Sequence, residues 1–342
     1  MSLITLSPLM QRRLNQFKAN RRGYISLWIF LGIFFITLFA RFISNDKPFV
    51  VYFDNQLYYP IVKVYPETTW GGTFQTETNY RDPYVKELIR AKGWMVFPPI
   101  PYSFNTVNYD IPTPAPSPPS WDNWLGTDDQ GRDVLARLIY GTRISLLFGL
   151  ILALFSSLIG VMAGAFQGYY GGNLDLILQR FTEIWSGLPT LYLLIILSSM
   201  IEPNFWWLLL IMLLFSWMNL VAVVRAEFFR TRSLDYVRAA EALGVPGHRV
   251  IWRHILPNAM VATITYLPFI VSASITTLTS LDFLGFGLPP GSASLGELLT
   301  QGKNNIQAPW LALAGFFSIA FILSLLIFVG EAVRDAFDPK KV

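Results

Sequence analysis

The side chains that carry most catalysis are scarce in this sequence. His248 and His254 are the only histidines among 342 residues, and there is no cysteine. Thiolate catalysis, disulfide frameworks and multi-histidine or cysteine-ligated metal centres are therefore excluded. No Gly-x-x-x-x-Gly-Lys-Ser/Thr loop is present to cradle phosphates; Gly302-Lys303 is followed by Asn304. The sequence thus offers no catalytic residue, no cofactor-binding residue and no metal ligand. Its most informative spacing lies in 225–259, and the chemistry it suits is recognition of a partner. Asp235-Tyr236-Val237-Arg238-Ala239-Ala240-Glu241-Ala242-Leu243 reads as a short helix that Gly244 ends in a left-handed turn. Pro246 prevents its continuation, and a second helix from about His248 leads to Leu256-Pro257. Small side chains at Ala239 and Ala240 suit insertion into a partner's groove. The plainer reading is a surface hairpin without a partner.

Two further spacings concern packing. Gly160, Gly164 and Gly168 recur every four residues, so they share one helix face and let another helix approach closely in lipid. Pro189, after Ser186-Gly187, and Pro268 would break or kink helices. Unpaired backbone at membrane depth is tolerated only where it is buried in protein or lines a cavity. The two prolines mark either a pathway or plain kinks, and the sequence leaves both readings open.

The elements that carry these features must be membrane helices. Hydrophobic residues make up 53% of the chain, charged residues 14%, and the mean hydropathy is +0.43. A soluble domain carries about 25% charged residues. A bilayer core requires about 20 apolar residues per helix, and six stretches qualify: 25–43, 144–166, 184–201, 205–224, 260–281 and 310–330. Trp28, Trp185, Trp206 and Trp310 stand at the starts of four of them, where an aromatic belt would place them. The expected architecture is an all-α membrane protein of six transmembrane helices. Residues 1–24 form a basic N-terminus, 25–43 the first span, 44–143 an insert, 144–333 a five-helix core, and 334–342 a tail.

Lys and Arg orient this arrangement. Residues 1–23 carry Arg12, Arg13, Lys18, Arg21 and Arg22 without an acid, and 225–259 carries six Arg against three acids. Residues 45–140 carry eight bases against eleven acids. Both termini and 225–259 are then expected in the cytoplasm, with 45–140 outside. The first span reads as an uncleaved anchor, because Leu38-Phe39-Ala40 lacks the small residue of a cleavage site. Twelve of the 22 prolines fall in 45–140, which predicts a small cap rather than an enzyme domain, with β-like runs at Phe49–Phe53 and Leu57–Val64 and a short helix at Tyr84–Lys92. Trp70, Trp94, Trp121 and Trp124 are candidates for a contact surface or for the insert's own core. An interfacial amphipathic helix is expected from Val134, Leu135, Leu138 and Ile139.

The 235–259 pattern resembles the EAA loop of bacterial ABC importer permeases. Ala239, Ala240, Gly244, Leu256 and Pro257 match its spacing; Arg238 stands where the consensus has Glu, and His254 where it has Ile. Leu125-Gly126-Thr127-Asp128-Asp129-Gln130-Gly131-Arg132-Asp133, with Tyr140-Gly141-Thr142-Arg143, is similar to the entry segment of the second permease of the dipeptide/oligopeptide branch. Phe283-Leu284-Gly285-Phe286-Gly287-Leu288-Pro289-Pro290, with Gly296, is a third match; Leu278 and Leu295 replace a Glu and a Trp common in relatives. These matches cover about 120–342. Asn45-Asp46-Lys47-Pro48, Gly71-Gly72, Tyr80-Arg81-Asp82-Pro83, Lys92-Gly93-Trp94 and Pro98-Pro99-Ile100 resemble the enlarged periplasmic insert of the Yej-type permeases, which import peptides and the peptide-nucleotide antibiotic microcin C.

The resemblance implies a type I ABC importer permease in the bacterial inner membrane, forming half of a translocation pathway. It implies a second permease subunit, ABC ATPase subunits that hold ATP and Mg, and a periplasmic peptide-binding protein. Arg238, Ala239, Ala240, Leu243, Gly244, Leu256 and Pro257 would form the ATPase-docking knob. No cofactor is expected in this chain, no enzyme activity and no nucleic-acid partner. A secondary transporter should carry ionisable residues in its spans, which are nearly absent. An anchored enzyme needs a catalytic constellation in 45–140, and none is present.

Overall fold

A computed structural model describes residues 8–202 and 204–338; Lys340 and Lys341 of the expected basic tail lie outside the described residues. The chain divides into two compact units, one of 1–32, 145–289 and 320–342 and one of 33–144 and 290–319.

The first unit is built of helices, and those that cross its boundaries at 32/33, 144/145 and 319/320 run on into the second. α1 (Pro8–Ala19) and α2 (Arg21–Leu38) open the chain. The four-residue α3 (Ala40–Ile43) follows α2 in the second unit. α5 (Val134–Tyr170), α6 (Gly172–Ser186), α7 (Thr190–Met200), α8 (Phe205–Ser216), α9 (Met218–Arg232) and α10 (Asp235–Ala242) lead to α11 (Gly247–Arg249). A wide π segment, Val250–Ile255, then feeds α12 (Leu256–Phe283). α14 (Pro309–Phe337) closes the chain. Among the described residues, five helical stretches are long and apolar enough to cross a membrane, and the bent pair α6–α7 makes up to six.

The expected spans shift at their edges. The 205–224 stretch extends to 28 residues as α8 and α9, and the amphipathic stretch expected to enter the second span is the first part of α5, continuous with it. The 184–201 stretch is broken: α6 starts at Gly172, and the two helices meet at 70°. Trp185 therefore sits near the end of α6, donating its indole N–H to the Leu214 carbonyl at 2.9 Å. Serine hydroxyls in α12 bond within their own helix, as Ser272 to Pro268 O at 3.0 Å and Ser274 to Ile270 O at 2.8 Å, the i−4 back-bond open to Ser in a helix.

The second unit holds the insert. β1 (Val50–Phe53) lies between β2 (Gln56–Tyr58) and β3 (Gly93–Val96), both antiparallel to it, with Val51 opposite Tyr58 and Met95. Asp54 and Asn55 take φ of +46° and +64°, the two-residue turn that matches strand twist. α4 (Pro83–Lys92) starts on the Asp82 carboxylate, which accepts from Tyr84 N at 2.8 Å, and buries Val85 and Ile89. These join Val51, Phe53, Trp70 and Tyr80 in one core. Trp70, only 1% exposed, is thus a core residue, donating its N–H to Thr78 Oγ1 at 2.9 Å; Trp94, Trp121 and Trp124 are exposed. The compact unit that holds the insert spans 33–144. The unit also includes 290–319, with α13 (Leu295–Asn304) capped by Ser294 Oγ.

Candidate coupling and translocation site

α10 is amphipathic on a small scale. Val237 is fully buried and Ala240 is 8% exposed, while Arg238 and Ala239 face outward and Leu243 is 84% exposed. The small-residue face expected from Ala239 and Ala240 is therefore split. Ala240 turns into the protein because Val237, three residues before it, is anchored in the core, and i, i+3 positions share a face. Gly244 follows with φ +77°, a conformation that costs glycine little, and its N–H reaches Glu241 O at 2.9 Å. The knob's inner side continues into one apolar cluster with Val161 and Ala165 of α5, Leu220, Val224 and Phe228 of α9, and Val250, Ile251 and Ile255. Leu256 packs against that cluster, and Pro257, exposed, opens α12. These two residues root the knob, whereas Arg238, Ala239, Leu243 and Gly244 form its outer surface.

Polar contacts lock the knob down. Tyr236 OH donates to His254 O at 3.2 Å and accepts from Asn258 Nδ2 at 2.7 Å. Tyr169 OH donates to Glu241 Oε1 at 3.1 Å. Arg232 donates to Gly168 O and Tyr169 O at 3.1 and 2.9 Å, satisfying carbonyls that the end of α5 leaves without partners. The glycines at 160, 164 and 168 set α5 directly on α9. A Cβ there would meet Trp217 O at 2.6 Å, Val224 Cβ at 2.8 Å and Arg225 O at 2.7 Å respectively.

The break at Pro189 borders a cavity of about 240 Å³ lined by Ser186, Thr190, Ser216, Asn219, Ser274 and Thr277 among apolar side chains. A second cavity of about 240 Å³ shares Ser186, Met218 and Asn219, and adds Gln167, Gln179 and Glu183. Hydroxyls and amides without formal charge line the first, so it offers donors and acceptors to a polar solute at membrane depth. Pro268 lies inside α12 and is not among the residues lining this cavity, whereas Ile270 and Ala273 are. Asp175 of α6 and Arg225 of α9 pair through bonds of 2.5 and 2.6 Å beside the second cavity, a bidentate geometry that fixes orientation.

In the second unit, the 125–133 motif is a buried ionic brace. Asp128 Oδ2 accepts from Arg132 Nε at 2.7 Å and faces Arg137 Nε at 3.3 Å. Arg137, fully buried, donates to Glu297 Oε2 at 2.7 Å and Ser292 O at 2.8 Å. Asp133 accepts from Asn123 Nδ2 and Ala136 N at 2.8 and 2.7 Å; burial raises its carboxyl pKa, and these two bonds oppose the rise. The sequence displayed the charges, but the partner Glu297 lies 160 residues from Arg137.

Up to six helical stretches suited to a bilayer mark a membrane protein, and comparison gives its family. A family model for the binding-protein-dependent transport system inner membrane component matches residues 144–342, and one for the N-terminal TM domain of oligopeptide transport permease C matches 7–60. The chain belongs to the binding-protein-dependent transport system inner membrane components, a family of ABC transporter permeases rather than enzymes. It is 61% identical over 336 residues to the inner membrane ABC transporter permease protein YejE of Escherichia coli (strain K12), covering 98% of each chain. It is 56% identical over 359 residues to the peptidoglycan transport system permease protein YejE of Agrobacterium fabrum, covering 98% of this chain and 94% of that one. Against the oligopeptide transport system permease protein OppC of Bacillus subtilis it is 34% identical over 243 residues, 70% of this chain and 78% of the other. The expected dipeptide/oligopeptide permease relationship thus holds, as does residence in the inner membrane as a multi-pass protein.

Proposed function

We propose that this chain forms half of the translocation pathway of a peptide importer, extending to peptide-nucleotide conjugates of the microcin C type. It pairs with a second permease, receives cargo from a periplasmic peptide-binding protein, and docks ABC ATPase subunits that hold ATP and Mg. In this reading α6–α7 counts as one broken span, six spans return both termini to one side, and the acid-free basic stretch 1–23 favours the cytoplasm for them, with the insert in the periplasm. Closure of the ATPases pushes the knob, and α5, α9 and α12 carry the motion to the cavity beside Pro189 as a rigid-body change of access. One observation carries the reading: Leu243 is 84% exposed on a helix whose other face is rooted in the core. An exposed leucine in a rigid, partly basic knob is suited to burial in a partner's groove. Leu243→Asp in the assembled transporter tests it. The expected result is loss of ATPase subunits on purification and loss of peptide-stimulated ATP hydrolysis, with the permease pair intact. Wild-type retention and hydrolysis would overturn it.

A further inference from the structure

We propose that α1 is an interfacial helix that binds the anionic headgroups of the membrane beside the first span. Met10, Leu14 and Phe17 follow i, i+4, i+7 and so share one face, while Gln11, Asn15 and Lys18 run alongside on the polar one. Leu9 and Leu14 are 54% and 40% exposed although the protein packs against other parts of the same helix. Arg12, Lys18, Arg21 and Arg22 are exposed as well. No acidic residue precedes Asp46, and among the described residues none of these bases forms an ion pair. Only Arg13 is engaged, over the Phe337 ring at 4.6 Å.

Position selects lipid as the occupant. α2 begins two residues after α1 ends, and Asn20 Oδ1 caps that start by accepting from Gly23 N at 3.2 Å. An aromatic run joins the two helices, Phe17 to Tyr24 at 6.3 Å and Tyr24 to Trp28 at 6.2 Å. Aromatic side chains at the mouth of a span sit at headgroup level, so α1 is held where its leucines meet acyl chains and its bases meet phosphates. A helix with an apolar stripe and a basic face, directly next to a span, is the arrangement that anionic lipids bind. The uncompensated charge makes the surface selective for acidic lipid over zwitterionic lipid.

The cysteine-free chain allows a direct test in the full-length protein. Nitroxide labels at Leu14→Cys or Asn15→Cys are read in nanodiscs of phosphatidylcholine, with or without phosphatidylglycerol, by collision with oxygen and with a water-soluble nickel chelate. With phosphatidylglycerol, Leu14→Cys should favour oxygen and Asn15→Cys the nickel chelate. In phosphatidylcholine alone, or at high salt, the Leu14→Cys label should move toward nickel. Combined Arg12→Gln, Lys18→Gln and Arg22→Gln should move it likewise in acidic discs, while a label at Thr76→Cys keeps an unchanged spectrum. Nickel accessibility of Leu14→Cys in acidic discs, or equal depth in both lipids with no effect of the triple change, would overturn the proposal.

Discussion

Gly164 lies so close to Val224 that a Cβ on the glycine would sit 2.8 Å from the valine Cβ. That separation, repeated at Gly160 and Gly168, makes the contact between α5 and α9 a backbone contact, and the knob's core is built on it. Gly164→Leu should force the two helices apart at a cost of about 1–3 kcal/mol, the usual price of overpacking. Gly32, with nothing within 4 Å of its would-be Cβ, provides the contrast, and Gly32→Ala should leave thermal stability unchanged. Melting curves of the detergent-purified protein would check both.

Ala240 and Leu243 should separate folding from docking. Ala240→Asp places a charge in a site that is 8% exposed, so it should lower the melting temperature and the yield before any partner is considered. Leu243→Asp acts at an exposed site, where substitutions usually change stability by about 0.5 kcal/mol or less. Equal melting losses for the two variants would contradict the split face of α10.

The brace in the second unit should be intolerant of partial removal. Arg137→Met leaves Asp128 and Glu297 to Arg132 alone, and breaking a buried ion pair costs about 3–5 kcal/mol. Limited proteolysis of the insert, compared with wild type, should show faster cleavage.

Trp70→Ala should cost about 3–5 kcal/mol as a large-to-small core change, whereas Trp121→Ala, at a side chain 96% exposed, should leave the melting curve in place. If the insert contacts the binding protein, Trp121→Ala lowers uptake without unfolding it. Deleting about 50–110 would remove the whole sheet and its core, so point changes are the cleaner probe.

Single cysteines at Thr76 and Leu243 should report topology. An impermeant thiol reagent added outside spheroplasts should label Thr76→Cys and spare Leu243→Cys; the reverse pattern would invert the orientation.

Much of this architecture is legible in sequence because membranes and glycines leave strong local marks. Uncharged stretches locate the spans, Gly244 and Pro246 end α10, and the Tyr84–Lys92 helix is found one residue short of its start at Pro83. What escapes is whatever depends on distant partners. The inward turn of Ala240 follows from Val237 packing with α5 and α9. The role of Arg137 follows from Glu297. α6 was hidden because Asp175, Arg180 and Glu183 interrupt its apolar run. β3 follows α4 with no residue between them and begins on Gly93, so no turn signal sets it apart. Leu243 carried a readable signal of its own, a large apolar side chain just after the small residues Ala239, Ala240 and Ala242 of α10.

The wide turns at Val250–Ile255 make the direction in which the knob points a matter of residue count. A π segment holds one residue more than an α-helix of the same rise, and one residue corresponds to about 100° of rotation about the axis. Deleting a single residue there would let an unbroken α-helix run from Gly247 into α12 and swing everything before it by roughly a quarter turn. The six-residue widening thus acts as a phase setting, aiming the outer face of α10 without changing any residue on that face.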